Sequence, residues 1–175
     1  MRELILRQKL FKVFDQYEVK DDAGEVRYQV KQKFSLWTKR FKVWDAEGHE
    51  VFALKKLHFH IFPHFRCRLA SGEELTLKSK WSPMRRRLQV DSDAGTVQVK
   101  GNLLDYNYHI NVDGDRIGEV RRKFLSIGDS FVLSVKDQAA EPLVLAIALV
   151  LDVLVDGEKE AEEEKRLVKT RRLRT

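Results

Sequence analysis

Cysteine is nearly absent from this sequence: Cys67 is the single one among 175 residues. No disulfide can close within the chain, and no cysteine-based zinc site can form. Three prolines and nine glycines are too few for a linker-rich, multidomain chain. Long apolar runs are missing as well. The longest runs from Leu143 to Leu151 and ends at Asp152, well short of the ~20 residues that span a bilayer, so no transmembrane span is expected. Near the N-terminus, Leu4-Ile5-Leu6 is cut off by Arg7, far too soon for a secretory signal. These absences point to a reducing, cytoplasmic setting, with peripheral attachment to a membrane left open. There is no Gly-rich phosphate loop and no Gly-x-Ser-x-Gly elbow, which removes the commonest signatures of phosphoryl- and acyl-transfer enzymes.

What is present is balanced and globular. A hydrophobic fraction of 43% beside a charged fraction of 34% excludes a disordered chain, and the length suits one domain with a real core. Lys and Arg number 33 against 27 Asp and Glu, a net charge of +6. That surplus is compatible with an anionic partner and says nothing about fold.

One pattern recurs along the chain. An apolar-alternating run leads into an Asp- or Gly-containing turn, then a second alternating run, then basic residues. Tyr17-Glu18-Val19 leads through Asp21-Asp22-Ala23-Gly24 to Val26, Tyr28 and Val30. Phe41-Lys42-Val43 leads through Asp45-Ala46-Glu47-Gly48 to Val51–Leu54. Further units begin at Phe65, Leu88, Tyr108 and Phe131. Period-two alternation puts one face inward, and the turns supply the positive φ of a tight connection. So many hairpins of similar length in one domain mean a sandwich or a barrel. A closed antiparallel barrel filled by one apolar helix is the expected, mainly β fold.

That helix comes from the last unit. Pro142 suits a first helical turn, Glu141 its positive end, and Gly157 a stop. The run between them is apolar on every face, so it must be surrounded by protein or lipid, and it is too short to span a membrane. A helix over about residues 142–155 would be ~21 Å long, enough to plug a barrel. A buried strand is the competing reading of a segment so rich in Val, Ile and Leu. The domain is expected to occupy 1–157. Residues 158–175, acidic then basic, read as a charged, flexible tail.

Some of these residues resemble a known family. Val120-Arg121-Arg122-Lys123-Phe124, then Asp129-Ser130-Phe131-Val132-Leu133-Ser134-Val135, then the apolar run ending in Asp152, are similar to the C-terminal signature of LURP-one-related proteins. Tyr28–Phe34 and Phe41–Gly48 resemble that family's early hairpins. The resemblance covers roughly residues 4–155. It implies a barrel of about twelve strands around a central hydrophobic helix, the fold of tubby C-terminal domains and phospholipid scramblases, in agreement with the hairpin count. Tubby-like domains bind phosphoinositides through basic residues. Fold alone does not carry that activity across.

Candidate chemistry is sparse. His58 and His60 alternate on one strand and His64 follows Pro63, but no third ligand converges in the sequence, so ordinary barrel-wall histidines are the expectation and no metal or cofactor is assigned. Asp91-Ser92-Asp93-Ala94-Gly95 is too short for an EF-hand loop. Cys67 alternates with Phe65 and Leu69 and reads as a buried structural thiol. The basic residues are the best candidates. Second strands end in Lys31 and Lys33, Lys55 and Lys56, Lys78 and Lys80, Lys100, and Arg121, Arg122 and Lys123, and Arg85-Arg86-Arg87 enters the fourth hairpin. In an up-and-down barrel these positions would form a basic rim opposite an acidic rim of turns, able to attract anionic headgroups. The plainer reading is that Asp belongs in turns and Lys protects strand ends.

The sequence thus points to a non-enzymatic binding module that recognises anionic phospholipid headgroups, phosphoinositide-like lipid among them, or phosphorylated ligands. A structural or protein-interaction scaffold is the alternative. Nucleic acid is disfavoured, because the aromatics fall on the inward face and leave no stacking platform.

Overall fold

The computed structural model describes residues 1–8, 16–35, 38–57, 63–80, 87–91, 95–102, 107–124 and 129–172. Twelve strands make up the wall. They are β1 (Arg2–Gln8), β2 (Gln16–Asp21), β3 (Val26–Ser35), β4 (Thr38–Asp45), β5 (Glu50–Leu57) and β6 (His64–Leu69), followed by β7 (Glu74–Lys80), β8 (Arg87–Asp91), β9 (Val97–Asn102), β10 (Asn107–Val112), β11 (Asp115–Phe124) and β12 (Asp129–Val135). Each pairs antiparallel with its sequence neighbours, and β1 also pairs with β12, so the sheet closes on itself. Closure leaves no unpaired edge for another strand to join.

The expected alternation sets the inside. Leu4 and Leu6, Tyr28 and Val30, Phe41 and Val43, Phe65 and Cys67, Leu75 and Leu77, and Phe131, Leu133 and Val135 are all buried. The turns repeat as the sequence suggests. The Gly24 N–H donates to Asp21 O and the Glu25 N–H to Asp21 Oδ1, while Gly48 and His49 make the same two bonds to Asp45. The turn aspartates therefore serve their own turns first. At β10–β11, Asp113 (φ 49) and Gly114 (φ 93) both take positive φ, the type I′ geometry that an Asp-Gly pair favours.

Helix α1 (Glu141–Arg172) follows a short 3-10 turn whose Asp137 carboxylate accepts from the Ala140 N–H. It enters at the tight-turn end of the barrel. Glu141 is fully buried there, accepting from Tyr28 Oη at 2.6 Å and from Arg2 Nη1 at 3.2 Å. Burial, then the bond to the Glu141 carboxylate, raises the Tyr28 pKa well above a free phenol's. From Val144 to Val150 every residue is wholly buried. Each large aliphatic side chain so buried contributes roughly 1.5–3 kcal/mol, so the helix supplies a large share of the core. Gly118 on β11 permits its close approach: a Cβ there would lie 2.6 Å from Val144 Cγ2.

One boundary differs from expectation. Gly157 does not stop the helix, which continues to Arg172 through the segment read from sequence as a tail. A glycine inside a helix costs about 1 kcal/mol, and the residues after it are mostly Glu, Lys, Ala and Arg, all strong helix formers. Among the described residues, no helix is long and apolar enough to cross a membrane. The outward strand positions carry Lys31, Lys42, Arg66 and other charges, the reverse of a lipid-facing barrel wall.

Candidate anion-binding face

Strand alternation turns Lys33 of β3, Arg40 of β4, Lys55 of β5 and Arg66 of β6 outward, and all four are exposed. Strand register then aligns them. Lys33 pairs Arg40, Arg40 pairs Lys55, and Lys55 pairs Arg66. Four cations stand directly opposite one another across four adjacent strands, a ladder about 14 Å long at the usual ~4.8 Å strand spacing. Like charges directly opposed across strands destabilise a sheet by about 0.2–1 kcal/mol per pair. Among the described residues, none of the four makes an ion pair with a carboxylate.

The neighbouring cations are treated differently. One row nearer the tight turns, Lys42 binds Glu50 at 2.7 Å, Arg68 binds Glu74 at 3.3 Å, and Lys31 lies 5.4 Å from the Trp44 ring centroid. On the far wall, Arg121 reaches Glu3 and Glu119, each at 3.5 Å, and Arg116 also binds Glu119. Lys78 of β7 binds Asp91. Among the described residues, the ladder is therefore a row of four aligned cations with no carboxylate partner, beside Lys42, Arg68, Lys78, Arg116 and Arg121, which each have one.

The residues singled out from sequence do not converge. β5 and β11 stand six strands apart in the ring of twelve, so Lys55 and Lys56 lie on the opposite wall from Arg121, Arg122 and Lys123. The proposed continuous rim is corrected accordingly. Lys55 joins the ladder, whereas Lys56, one residue on, is half-buried and pairs Phe65. Arg121 and Lys123 are exposed, but alternation turns Arg122 into the barrel, where it is 9% exposed and its guanidinium carbon lies 5.8 Å from the Phe131 ring centroid. Arg87 opens β8, with Lys80 as its register partner. Arg85 and Arg86 lie outside the described residues, as do His58 and His60. Among the described residues, no three His, Cys, Asp or Glu side chains come together as a metal site would need. Cys67 is buried, as its alternation indicated, and burial pushes its thiol up to about 12.

Strand-end reading picked out Lys33 and Lys55 of the ladder and missed Arg40 and Arg66, which lie on the first strands of their hairpins. Lys33 and Arg40 flank the short β3–β4 connection symmetrically, so that pair was readable. Adding Lys55 and Arg66 requires the register of the next two strand pairs, which depends on a bulge between Val43 and Trp44 and on the length of the β5–β6 connection.

The LURP-one-related family model matches residues 2–152 of the chain. A curated relative, "Uncharacterized protein YxjI" of Bacillus subtilis (strain 168), is 20% identical over 161 residues, which cover 91% of this chain and 98% of that protein. No solved structure gives a significant match.

Proposed function

This chain belongs to the LURP-one-related family, and we propose that it acts there as a non-enzymatic module that docks on anionic phospholipid headgroups. The observation that carries this reading is the ladder Lys33–Arg40–Lys55–Arg66. Four aligned cations that have no carboxylate partner among the described residues cost stability in isolation, and a surface of phosphates relieves that cost. A cation held near an anionic membrane contributes about 1 kcal/mol, so the ladder supplies roughly 4 kcal/mol, close to a thousandfold in affinity. The resemblance to tubby-like and scramblase-like barrels agrees with this reading, and so does the net charge of +6. The protein would then sit peripherally on a membrane.

The test is flotation with neutral, phosphatidylserine-containing and phosphoinositide-containing vesicles at low and high salt. Binding to anionic vesicles that weakens with salt is expected. Competition by free inositol phosphates at concentrations matched in phosphate would assign the site to soluble phosphorylated ligands instead. Wild-type protein that ignores anionic vesicles at low salt would overturn the proposal and leave the scaffold reading.

A further inference from the structure

A small side chain stands beside the ladder. Ala53 of β5 lies between the buried Phe52 and Leu54, so it faces outward, yet it is half-buried. A methyl group is covered only by its neighbours, and strand register names them. Lys42 stands directly opposite on β4, and Arg68 directly opposite on β6. Lys55 is two residues along the same strand. Its own partners, Arg40 and Arg66, are the diagonal neighbours of Ala53. The bulge in the β4–β5 pair lies beyond Val43 and leaves this stretch regular. Five cations therefore surround one methyl group on three sides.

Two of the five have carboxylate partners: Lys42 binds Glu50 at 2.7 Å and Arg68 binds Glu74 at 3.3 Å. Arg40, Lys55 and Arg66 have none among the described residues. These three come from three adjacent strands. Diagonal positions in a sheet lie ~7–8 Å apart, and same-face residues of one strand about 7 Å apart. An extended Lys or Arg side chain covers such a distance, so the three head groups can meet above Ala53.

Charge and shape decide what fits there. A phosphodiester carries a single charge and has a substituent on either side. A phosphomonoester carries about −1.5 to −2 near pH 7 and presents three free oxygens at its tip. Three donors converging from three strands match those oxygens, and each guanidinium adds its two-pronged fork. A tip group with its ester link on the far side can descend onto a recessed methyl, which a diester flanked by its substituents does less well.

We propose that Arg40, Lys55 and Arg66 seat the terminal phosphomonoester of a lipid headgroup over Ala53, so that the module selects such lipids over diester lipids of equal charge. This rests on the membrane-docking reading and deepens it. Docking by charge alone needs only the cations, whereas the seat also needs the space above Ala53.

Flotation of the full chain with phosphatidic acid vesicles and with phosphatidylglycerol vesicles, adjusted to equal zeta potential, tests the seat. Phosphatidic acid should be preferred by about tenfold or more, the worth of one charge-assisted hydrogen bond. Ala53→Leu fills the space and should bring the preference to about one, while Ala53→Ser should keep it. Both should melt near the wild-type temperature, because the position faces outward. Glycerol 3-phosphate matched in phosphate to the lipid should displace little protein. Equal wild-type binding to both vesicles would overturn the seat and leave the docking reading standing, whereas wild-type protein that ignores both would overturn the two together. Full preference in a well-folded Ala53→Leu variant would overturn the seat, and displacement by glycerol 3-phosphate would overturn its assignment to lipid.

Discussion

Reversing a single charge of the ladder, Arg40→Glu, should make the barrel more stable. Arg40 faces Lys33 on one side and Lys55 on the other. The substitution turns two repulsive cross-strand pairs into two attractive ones. Each such pair is worth about 0.2–1 kcal/mol in either direction, and exposed pairs sit in the lower half of that range. The net gain is therefore about 1 kcal/mol, or roughly 2–4 °C in Tm for a domain of this size. Arg40→Gln, which removes the repulsion without adding attraction, should give about half of it. Arg121→Glu is the control of opposite sign. That residue lies against Glu3 and Glu119, so reversing it should lower Tm. Thermal melts followed by circular dichroism at low salt separate the two, and both shifts should shrink at about 1 M salt. A lower or unchanged Tm for Arg40→Glu, with Arg121→Glu destabilising as expected, would refute the electrostatic reasoning, because the ladder cations would then not be repelling one another.

Three further outcomes follow from the core. Ala148→Lys places an ammonium in the wholly buried centre of α1, at a cost of several kcal/mol against a typical total stability of about 5–15 kcal/mol; a variant that melts cooperatively near the wild-type temperature would contradict the central-helix account. Gly118→Val should cost more than the usual strand substitution, because its Cβ meets Val144 at 2.6 Å, and the clash should be partly relieved in the double variant with Val144→Ala. Cys67 should resist alkylation in the folded protein at pH 8 and react once the chain is unfolded in denaturant. Its folded pKa lies at about 12 against 9.0 for a free thiol, so between those values the unfolded chain gives up a proton that the folded one keeps, and the thiol's contribution makes stability fall as pH rises through that window. Rapid native-state alkylation would refute the buried placement.

The hairpins were legible because each depends on local chemistry. Asp21 and Gly24, or Asp45 and Gly48, specify a turn without reference to the rest of the chain, and the alternation on either side picks out the inward residues. The central helix was legible for a similar reason: no exposed element can be apolar on all faces from Leu143 to Leu151. The site was harder. A cluster such as Arg121-Arg122-Lys123 is contiguous in sequence, yet period-two alternation sends Arg122 inside while its neighbours face out. Equivalent positions in the second and fifth hairpins lie on opposite walls, a consequence of strand order in a closed ring. The ladder needs exact pairing over three strand interfaces, and a bulge such as that between Val43 and Trp44 shifts pairing by a residue without leaving a clear mark in composition. The continuation past Gly157 was missed because a glycine was read as a stop, where strong helix formers on its far side outweigh its modest cost.

The most direct measurement of the central claim compares two variants from which equal charge has been removed. K33A/R40A/K55A/R66A clears the ladder, and K100A/R116A/R121A/K123A clears four cations from the β9–β11 wall. Flotation with phosphoinositide-containing vesicles at low salt should show the first losing two to three orders of magnitude in binding, at about 1 kcal/mol per cation, and the second staying within severalfold of wild type. Equal losses in both would contradict the account by showing that net charge alone, and not the β3–β6 face, governs binding.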